Sequence, residues 1–285
     1  MNTPDFSIVI PHYNSSDRLM QLINTIPKYN GIEVLVIDDA SDSKHIKKLN
    51  EVEREEGVKV YYNLENNGAG YCRNIGLNHS EGEWVIFADS DDYFLNDFVH
   101  NIYYYKDSDA DIIFFPPEAE EQKIKKNQRD KKYKALVKRF LENPKERENE
   151  LNLRVHFYVP WSKMIRKRLI DNYNIKFDHT FVSNDVMFST VSNLCAHNIY
   201  AHDTPIYCVT KSNESLTSTV NKSKMDERTE VFVRRHGYIK EMLPEKEFKN
   251  LNINGKGQLY LASRVGVLQL VKTFVIIIRN NIKLI

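Results

Sequence analysis

The most informative stretch of the chain reads Trp84-Val85-Ile86-Phe87-Ala88-Asp89-Ser90-Asp91-Asp92. Its first five residues are apolar, which is typical of a short strand buried on both faces. Its last four residues include three carboxylates, whose mutual repulsion destabilises the folded chain unless a cation balances them. The stretch therefore predicts a core strand with a charged loop at its carboxyl end.

Similar apolar runs recur along the chain. They predict strands at residues 6–10, 34–37, 58–62, 112–115 and 206–210. Segments with helical spacing separate the first of these, at residues 17–26, 43–55, 70–78 and 96–105. This alternation predicts an α/β fold with a mostly parallel sheet flanked by helices. Ligands bind such sheets beyond the carboxyl ends of the strands, so the loops at 11–14, 38–41 and 89–92 are the candidate site.

Composition limits the classes of function. The chain has 285 residues, 41% hydrophobic and 28% charged, so we expect it to fold around a sizeable core. Its 40 Lys and Arg against 39 Asp and Glu leave a charge of +1, which argues against a nucleic acid partner. Three scattered cysteines fit a reducing compartment. The start of the chain lacks a signal-peptide pattern and no run of 18 apolar residues occurs, so we expect a cytoplasmic protein.

The carboxylates at 89–92 suit a hard divalent cation. Mn²⁺ or Mg²⁺ takes carboxylate oxygens and shares its other positions with water and phosphates, so an ion that bridges a diphosphate is the natural use. The alternative is structural, with Asp89 capping a turn and Asp92 capping the next helix.

Two further loops point to a nucleotide. The first reads Val36-Ile37-Asp38-Asp39-Ala40-Ser41-Asp42, and one of its carboxylates can accept a nucleobase N–H while the others cap a helix. The second reads Asn66-Asn67-Gly68-Ala69-Gly70-Tyr71-Cys72-Arg73-Asn74, in which glycines allow close backbone approach and an arginine can pair with phosphate. It is neither a G-x-G-x-x-G fingerprint nor a Walker A loop, so the ordinary dinucleotide and P-loop interpretations fail.

Together these stretches resemble the bacterial family 2 of inverting nucleotide-sugar glycosyltransferases, which have the GT-A fold. The resemblance runs from residue 6 to about 217. It is carried by Ser7-Ile8-Val9-Ile10-Pro11-His12-Tyr13-Asn14, by residues 36–42, 67–76 and 82–92, and by residues 161–163.

The resemblance implies a donor site for a UDP-sugar. In similar enzymes the turn of Pro11 and Tyr13, together with Asp39, holds the base, and Arg73 lies near the nucleotide. Asp89 lies by the ribose or donor sugar, and Asp91, with Asp89, is the implied ligand of Mn²⁺ or Mg²⁺. Asp38 and Asp92 are expected to be structural. The remaining implied donor contacts are Asn14, Asn67, Gly68 and Ser90.

The resemblance also implies the catalytic base. Relatives carry Glu-Asp at the start of a helix in the second half, and here the matching place reads Asn184-Asp185, so Asp185 is the candidate base. The alternative for Asp185 is a carboxylate that merely favours the helix dipole. Asn184 and Lys211 are candidate acceptor-side contacts. Trp161 is interpreted either as a platform for a sugar ring or as core.

The predicted organisation is a catalytic domain at 1–220 and a helical extension at 221–285. The catalytic domain divides into a nucleotide-binding half (1–116), a charged helical insertion (117–150) and an acceptor-side half (151–220). The insertion has 19 charged residues among 34, which indicates a solvated helical surface or an acceptor-side lid.

The segment at 265–285 is amphipathic. At 100° per residue its polar residues gather on roughly a third of the circumference, and the other faces are apolar. These polar residues are Gln269, Lys272, Thr273, Arg279, Asn280 and Lys283. Such a helix needs an apolar partner, which can be a membrane surface, the catalytic domain or a second subunit in a homodimer.

The predicted function is therefore transfer of a hexose or N-acetylhexosamine from a UDP-sugar to a glycan acceptor. The resemblance implies that this glycan is linked to a lipid and that the setting is the assembly of a surface polysaccharide such as capsule. Two alternatives are a nucleotidyltransferase that forms sugar nucleotides and an inactive GT-A scaffold. The first predicts a glycine-rich, basic triphosphate loop near the start, which residues 10–14 do not provide, and the second predicts loss of carboxylates that Asp91 and Asp185 still supply.

Overall fold

The structure is a computed structural model that describes residues 3–28, 31–120, 130–210 and 221–284. Its strands are β1 (Phe6–His12), β2 (Ile32–Asp38), β3 (Val58–Tyr62), β4 (Trp84–Phe87), β5 (Tyr93–Phe94), β6 (Ile112–Phe114), β7 (Glu118–Ala119), β8 (Lys163–Arg166), β9 (Ile199–Ala201) and β10 (Tyr207–Val209). Its helices are α1 (Ser16–Asn24), α2 (Ser43–Val52), α3 (Ala69–His79), α4 (Phe98–Tyr104), α5 (Lys131–Glu142), α6 (Arg147–His156), α7 (Lys167–Asn172), α8 (Asn184–Cys195), α9 (Lys222–Met242), α10 (Glu245–Asn250), α11 (Lys256–Ser263) and α12 (Val267–Arg279).

The described strands form a large sheet in the order β3-β2-β1-β4-β8-β6-β9. β8 runs antiparallel to β4 and β6, and the other neighbours are parallel. Every residue of β1, β2 and β4 is buried, because helices cover both faces of these apolar strands. The predicted mostly parallel α/β sheet is confirmed.

A small second sheet lies beside the loop that follows β4. Within the described residues β10 is its central strand, antiparallel to β5 and parallel to β7. The sequence predicted β10 but not β5 or β7, because strands of two residues are too short to show periodicity. This small sheet places Tyr207 of β10 next to the carboxylate loop.

In the charged insertion, the described residues from 131 onward are mostly helical and pack against the core. Tyr133, Val137 and Phe140 of α5 are buried, whereas Leu141 is 37% exposed. The predicted boundary at residue 150 falls inside α6. The division into domains stays a prediction.

The helices after residue 220 form a second core against α6. Leu151 and Val155 of α6 pack with Ile239, Leu243 and Leu251 from the C-terminal helices. No helix among the described residues is long and apolar enough to cross a bilayer.

α12 is oriented in an unexpected way. Gln269 and Thr273, from its polar face, are 5% and 0% exposed, whereas Leu268 is 89% exposed. Gln269 and Thr273 therefore contact the protein, whereas Lys272, Arg279 and Lys283 on the same face are exposed and much of the apolar face meets solvent.

Candidate active site

The loops after β1, β2 and β4 meet at one edge of the sheet. The Asn14 backbone N–H donates to Ser41 Oγ (2.9 Å), and Asn14 Oδ1 accepts from the Asp42 N–H (2.8 Å). The hydroxyls of Ser15 and Ser90 lie 2.9 Å apart, which links the first loop to the third. Asn14 has a φ of 50°, a left-handed conformation that Asn tolerates better than most residues. Asn14 and Ser90 thus belong to the contacts that hold the loops together.

Asp38 forms a buried pair with His12. His12 Nδ1 lies 2.8 Å from Asp38 Oδ1, and the Ser41 N–H donates to Asp38 Oδ2 (3.0 Å). Burial alone would raise the pKa of Asp38, but the hydrogen bonds from His12 and Ser41 outweigh it and hold the pKa below its usual value. This environment agrees with the structural role expected for Asp38.

Asp39 fixes the loop before α3. Its Oδ1 accepts from Asn63 Nδ2 and the Asn67 N–H (both 3.0 Å), and its Oδ2 accepts from the Gly68 N–H (2.7 Å). Gly68 has a φ of 86°, which a residue with a side chain rarely adopts. Asp39 is 3% exposed. The carboxylate predicted to bind the base thus orients the loop that carries Asn67 and Gly68.

Arg73 joins the two halves of the site. Its guanidinium donates to Asp89 Oδ1 (2.5 Å) and to Asn184 Oδ1 (2.9 Å), and it lies over the Phe177 ring. The close approach of α3 to this region requires glycine at position 70, because a Cβ there would lie 2.2 Å from the Asp178 carbonyl oxygen. Arg73 is 5% exposed, so its main contacts are with Asp89 and Asn184.

The loop after β4 is held by the small sheet. The Tyr207 hydroxyl donates to Asp92 Oδ2 (2.8 Å) and accepts from the Asp89 N–H (2.8 Å), and the Thr210 N–H donates to Asp92 Oδ1 (2.7 Å). Burial, together with the charges of Asp89 and Asp91, raises the pKa of Asp92 well above its usual value. Asp92 therefore holds the loop in place, in agreement with the expected structural role.

The other two carboxylates of this loop are more accessible. The side chains of Asp91 and Asp89 are 37% and 28% exposed, and Arg18 Nη1 lies 3.6 Å from Asp91 Oδ2. No group of three or more His, Cys, Asp or Glu in the described ranges is arranged to hold a metal by itself. Ions such as Mg²⁺ are usually held by one or two carboxylates together with substrate phosphates. The donor set therefore fits an ion that binds with a diphosphate.

Asp185 lies in the first turn of α8, next to the Arg73 bridge. The preceding Ser183 has a φ of 59°, and this left-handed residue turns the chain into the helix. Asp185 is half-buried, and burial raises its pKa, partly offset by the charge of Arg73 and reinforced by that of Asp89. A carboxylate with a raised pKa is a stronger base than an exposed one, which suits proton abstraction near neutral pH.

Two cations beside Asp185 were not predicted as site residues. Lys163 is fully buried, donates to Asn193 Oδ1 (3.1 Å), and burial lowers its pKa to about 7 against the opposing effect of Asp185. The Nε and Nη2 atoms of Arg228 on α9 are buried without a hydrogen-bond partner in the described part of the chain, and the charge of Asp185 acts on this guanidinium. No local motif indicates Arg228, because it lies on a helix far along the chain.

The remaining predicted residues have different environments. Tyr13 is 51% exposed at the site edge, Pro11 is buried in β1, and Asn67 is exposed. Trp161 is 2% exposed and stacks on Tyr207 at 5.9 Å, so it belongs to the core and is not a platform for a sugar. Asn184 is likewise buried, where it donates to the Thr180 carbonyl oxygen and accepts from Arg73. Lys211 lies outside the described residues.

Comparison with known families identifies the class of this site. The family model described as Glycosyl transferase family 2 matches residues 7–173, which is more than half of the chain. The chain belongs to glycosyl transferase family 2. It is therefore a glycosyltransferase, which confirms the predicted family and enzyme class and sets aside the nucleotidyltransferase alternative.

Several relatives of this glycosyltransferase are bacterial. An uncharacterized glycosyltransferase of Haemophilus influenzae is 38% identical over 34% of this chain and 40% of that protein. Poly(ribitol-phosphate) beta-N-acetylglucosaminyltransferase TarS of Staphylococcus aureus is 37% identical over 31% of this chain and 16% of TarS. TarP, with the same described activity in that species, is 27% identical over 76% of this chain and 66% of TarP. The chain thus aligns with less than half of the first two proteins.

Solved structures confirm the fold of this family member. The structure of TarS 1–349 in complex with UDP-GlcNAc matches with a TM-score of 0.77 at 22% identity, over 97% of this chain and 81% of that one. The mannosyltransferase PcManGT of Pyrobaculum calidifontis, in complex with GDP-Man and Mn²⁺, matches with a TM-score of 0.58 at 12% identity, over 96% and 79%. The mostly parallel sheet with its C-terminal helices is the GT-A fold seen in TarS.

Proposed function

We propose that this glycosyltransferase transfers an N-acetylhexosamine or hexose from a UDP-sugar to a glycan hydroxyl, with inversion at the anomeric carbon. The relatives TarS and TarP are named as N-acetylglucosaminyltransferases, and the matching TarS structure holds UDP-GlcNAc. These names favour UDP-N-acetylhexosamine as the first donor to test.

The observation that carries the proposal is the position of Asp185 beside the Arg73–Asp89 bridge. The donor loop and the start of α8 are fixed to each other through Arg73, which contacts Asp89 on one side and Asn184 on the other. A donor held at the β4 loop would thus have a half-buried carboxylate on its acceptor side. A direct displacement needs one such base.

In the proposed reaction the acceptor oxygen attacks the anomeric carbon and its proton passes to the Asp185 carboxylate. The bond between the anomeric carbon and the diphosphate oxygen breaks, and UDP leaves with that electron pair. Asp91, with Asp89, would hold Mn²⁺ or Mg²⁺, which neutralises charge on the diphosphate. Tyr13, Asn67 and the Gly68 loop are the proposed nucleotide contacts, and Arg228 adds a positive charge on the side of Asp185.

The biological setting is a further part of the proposal. We place the enzyme in the cytoplasm, in the assembly of a bacterial surface polysaccharide such as capsule, with a lipid-linked glycan as acceptor. The three cysteines are free thiols, which agrees with a reducing compartment.

Thermal unfolding with UDP, GDP, CDP and dTDP, each with and without Mn²⁺, tests the donor site. Ligands that bind the native state raise the melting temperature, so we expect a rise with UDP that needs Mn²⁺. Asp91→Asn should remove the metal-dependent part of this rise, and Asp97→Asn on the nearby exposed surface is the matched control. An equal rise with all four nucleotides, or one independent of Mn²⁺ and of Asp91, would contradict the proposed donor site.

A further inference from the structure

α12 presents a continuous apolar face to solvent. A surface helix usually turns its apolar stripe to the core and its polar residues outward, whereas α12 buries Gln269 and Thr273 and exposes most of its apolar residues. The exposed fractions reach 76% for Val267 and 89% for Leu268. We define the apolar face of α12 as Val267, Leu268, Val271, Phe274, Val275 and Ile278, each of which is at least 38% exposed.

Specific contacts hold α12 in this orientation. Asp226 of α9 accepts from Gln269 Nε2 (2.7 Å) and pairs with Lys272 Nζ (2.7 Å). Ile277 is fully buried and packs against Gly255. A Cβ atom at position 255 would lie 2.7 Å from Ile277 Cδ1. The Gly255 N–H also donates to the Lys283 carbonyl oxygen (2.7 Å). The outward direction of the apolar face is therefore set by polar and apolar contacts on the opposite side of the helix.

The segment that carries this face is basic. Residues 251–285 include five basic residues and no acidic one. All five are exposed, among them Arg264, Arg279 and Lys283, whereas Lys272 is paired with Asp226 of α9. An apolar strip among cations complements an anionic lipid surface, where apolar side chains enter the acyl region and the cations meet headgroups. A second copy of the chain would bring the same positive charge to a symmetric contact, which is less favourable.

We propose that the apolar face of α12 and its flanking cations dock the enzyme on an anionic lipid bilayer. α9 connects this surface to the active site through neighbouring residues. Asp226 contacts α12, whereas Glu227 accepts from the backbone N–H groups of Phe181 and Val182, just before α8 and Asp185. Docking through α12 thus fixes the acceptor side of the site relative to the bilayer, where acceptors attached to lipid are held.

Vesicle co-sedimentation of the full chain tests the proposal. We expect the protein to bind vesicles in which one third of the phosphatidylcholine is replaced by phosphatidylglycerol, and to bind pure phosphatidylcholine vesicles weakly. Added salt should weaken the binding. Leu268→Glu with Phe274→Glu should reduce binding at least tenfold. Arg279→Gln should reduce it about fivefold, since each basic residue near an anionic surface adds about 1 kcal/mol.

The matched control is Leu64→Glu, which changes a leucine that is 99% exposed on the loop after β3. Every variant should keep the Mn²⁺-dependent UDP shift in melting temperature, so loss of docking is distinguishable from failure of the donor site. Equal vesicle binding by wild type and the double variant would overturn the proposal. The proposal would also be overturned if the wild type formed a stable oligomer and did not bind vesicles, and the double variant were monomeric. A second copy of the chain would then cover the apolar face.

Discussion

The donor loops and α12 both bury polar residues, but with different results for the surface around them. At the edge of the sheet, Asp38, Asp39 and Asp92 are buried carboxylates, each with at least two hydrogen-bond partners that belong to the loops they hold. In α12 polar residues are also buried, but the apolar residues of the same helix remain exposed. The first region gains a fixed geometry from its polar contacts. The second gains an exposed apolar surface, which costs stability unless something covers it.

The largest expected effect is on transfer. Asp185→Asn should lower the rate of sugar transfer about 10²–10⁴-fold, because the acceptor proton loses its base. The melting temperature near neutral pH should not fall. Because the pKa of Asp185 is raised in the folded protein, its ionised carboxylate destabilises the native state, and asparagine removes that charge. Asp171→Asn, at an exposed carboxylate of α7, is the control and should transfer at the wild-type rate. Wild-type transfer by Asp185→Asn would show that another group is the base.

The next effect tests the loop that Asp39 holds. Asp39→Ala leaves the Asn67 and Gly68 N–H groups without their acceptor, so the free energy of unfolding should fall by about 2–4 kcal/mol. Urea denaturation measures this change. Asp42→Ala is the matched control, since the exposed Asp42 makes no side-chain cap bond, and it should change the value by less than about 0.5 kcal/mol. Similar values for both variants would mean that water replaces Asp39 without cost.

A pH effect of intermediate size follows from Lys163. Its pKa is about 7 in the folded protein and near 10.5 in the unfolded chain, so between these values the unfolded chain binds more protons. The contribution of Lys163 to the free energy of unfolding therefore rises between about pH 7 and pH 10, by at most about 1.4 kcal/mol per pH unit. Lys163→Met should flatten the pH dependence of the unfolding free energy in this range, whereas Lys167→Met on α7 should not. An unchanged slope would show that Lys163 stays charged.

The smallest effect contrasts the two faces of α12. Leu268→Ser should change the free energy of unfolding by less than about 0.5 kcal/mol, because the side chain is 89% exposed. Ile277→Ala on the buried face should cost about 2 kcal/mol or more. Urea denaturation without lipid gives both values. A large loss for Leu268→Ser would mean that its side chain is covered in solution.

Much of the donor half was predictable because its strands are continuous apolar runs. Residues 58–62 form β3 as predicted, and the other predicted strands of this half differ from the structure by a few residues at their ends. The loops at their carboxyl ends follow from parallel topology, so Asp38, Asp39 and the residues at 89–92 could be assigned to one edge. Periodicity is a local property, and it could not reveal β5 and β7, which pair with β10 from more than 80 residues away.

The contacts between residues far apart in the chain could not be predicted from the sequence. Arg73 was predicted as a nucleotide contact, but its bridge between Asp89 and Asn184 depends on how α3 and α8 pack. The burial of Trp161 against Tyr207 likewise depends on how the segment before β8 packs on β10. Lys163 and Arg228 gather near Asp185 from three separate elements.

The sequence by itself determined the α/β class, the carboxylate loops and the family, because hydrophobic periodicity and short motifs are local and survive without knowledge of packing. It also determined that α12 is amphipathic. Only the tertiary structure decided which face of α12 points outward, since that choice rests on Asp226, a residue of another helix, whose contacts with Gln269 and Lys272 hold that side of α12 against the protein. Local pattern sets what each element can bury, and the contacts between elements decide what it does bury.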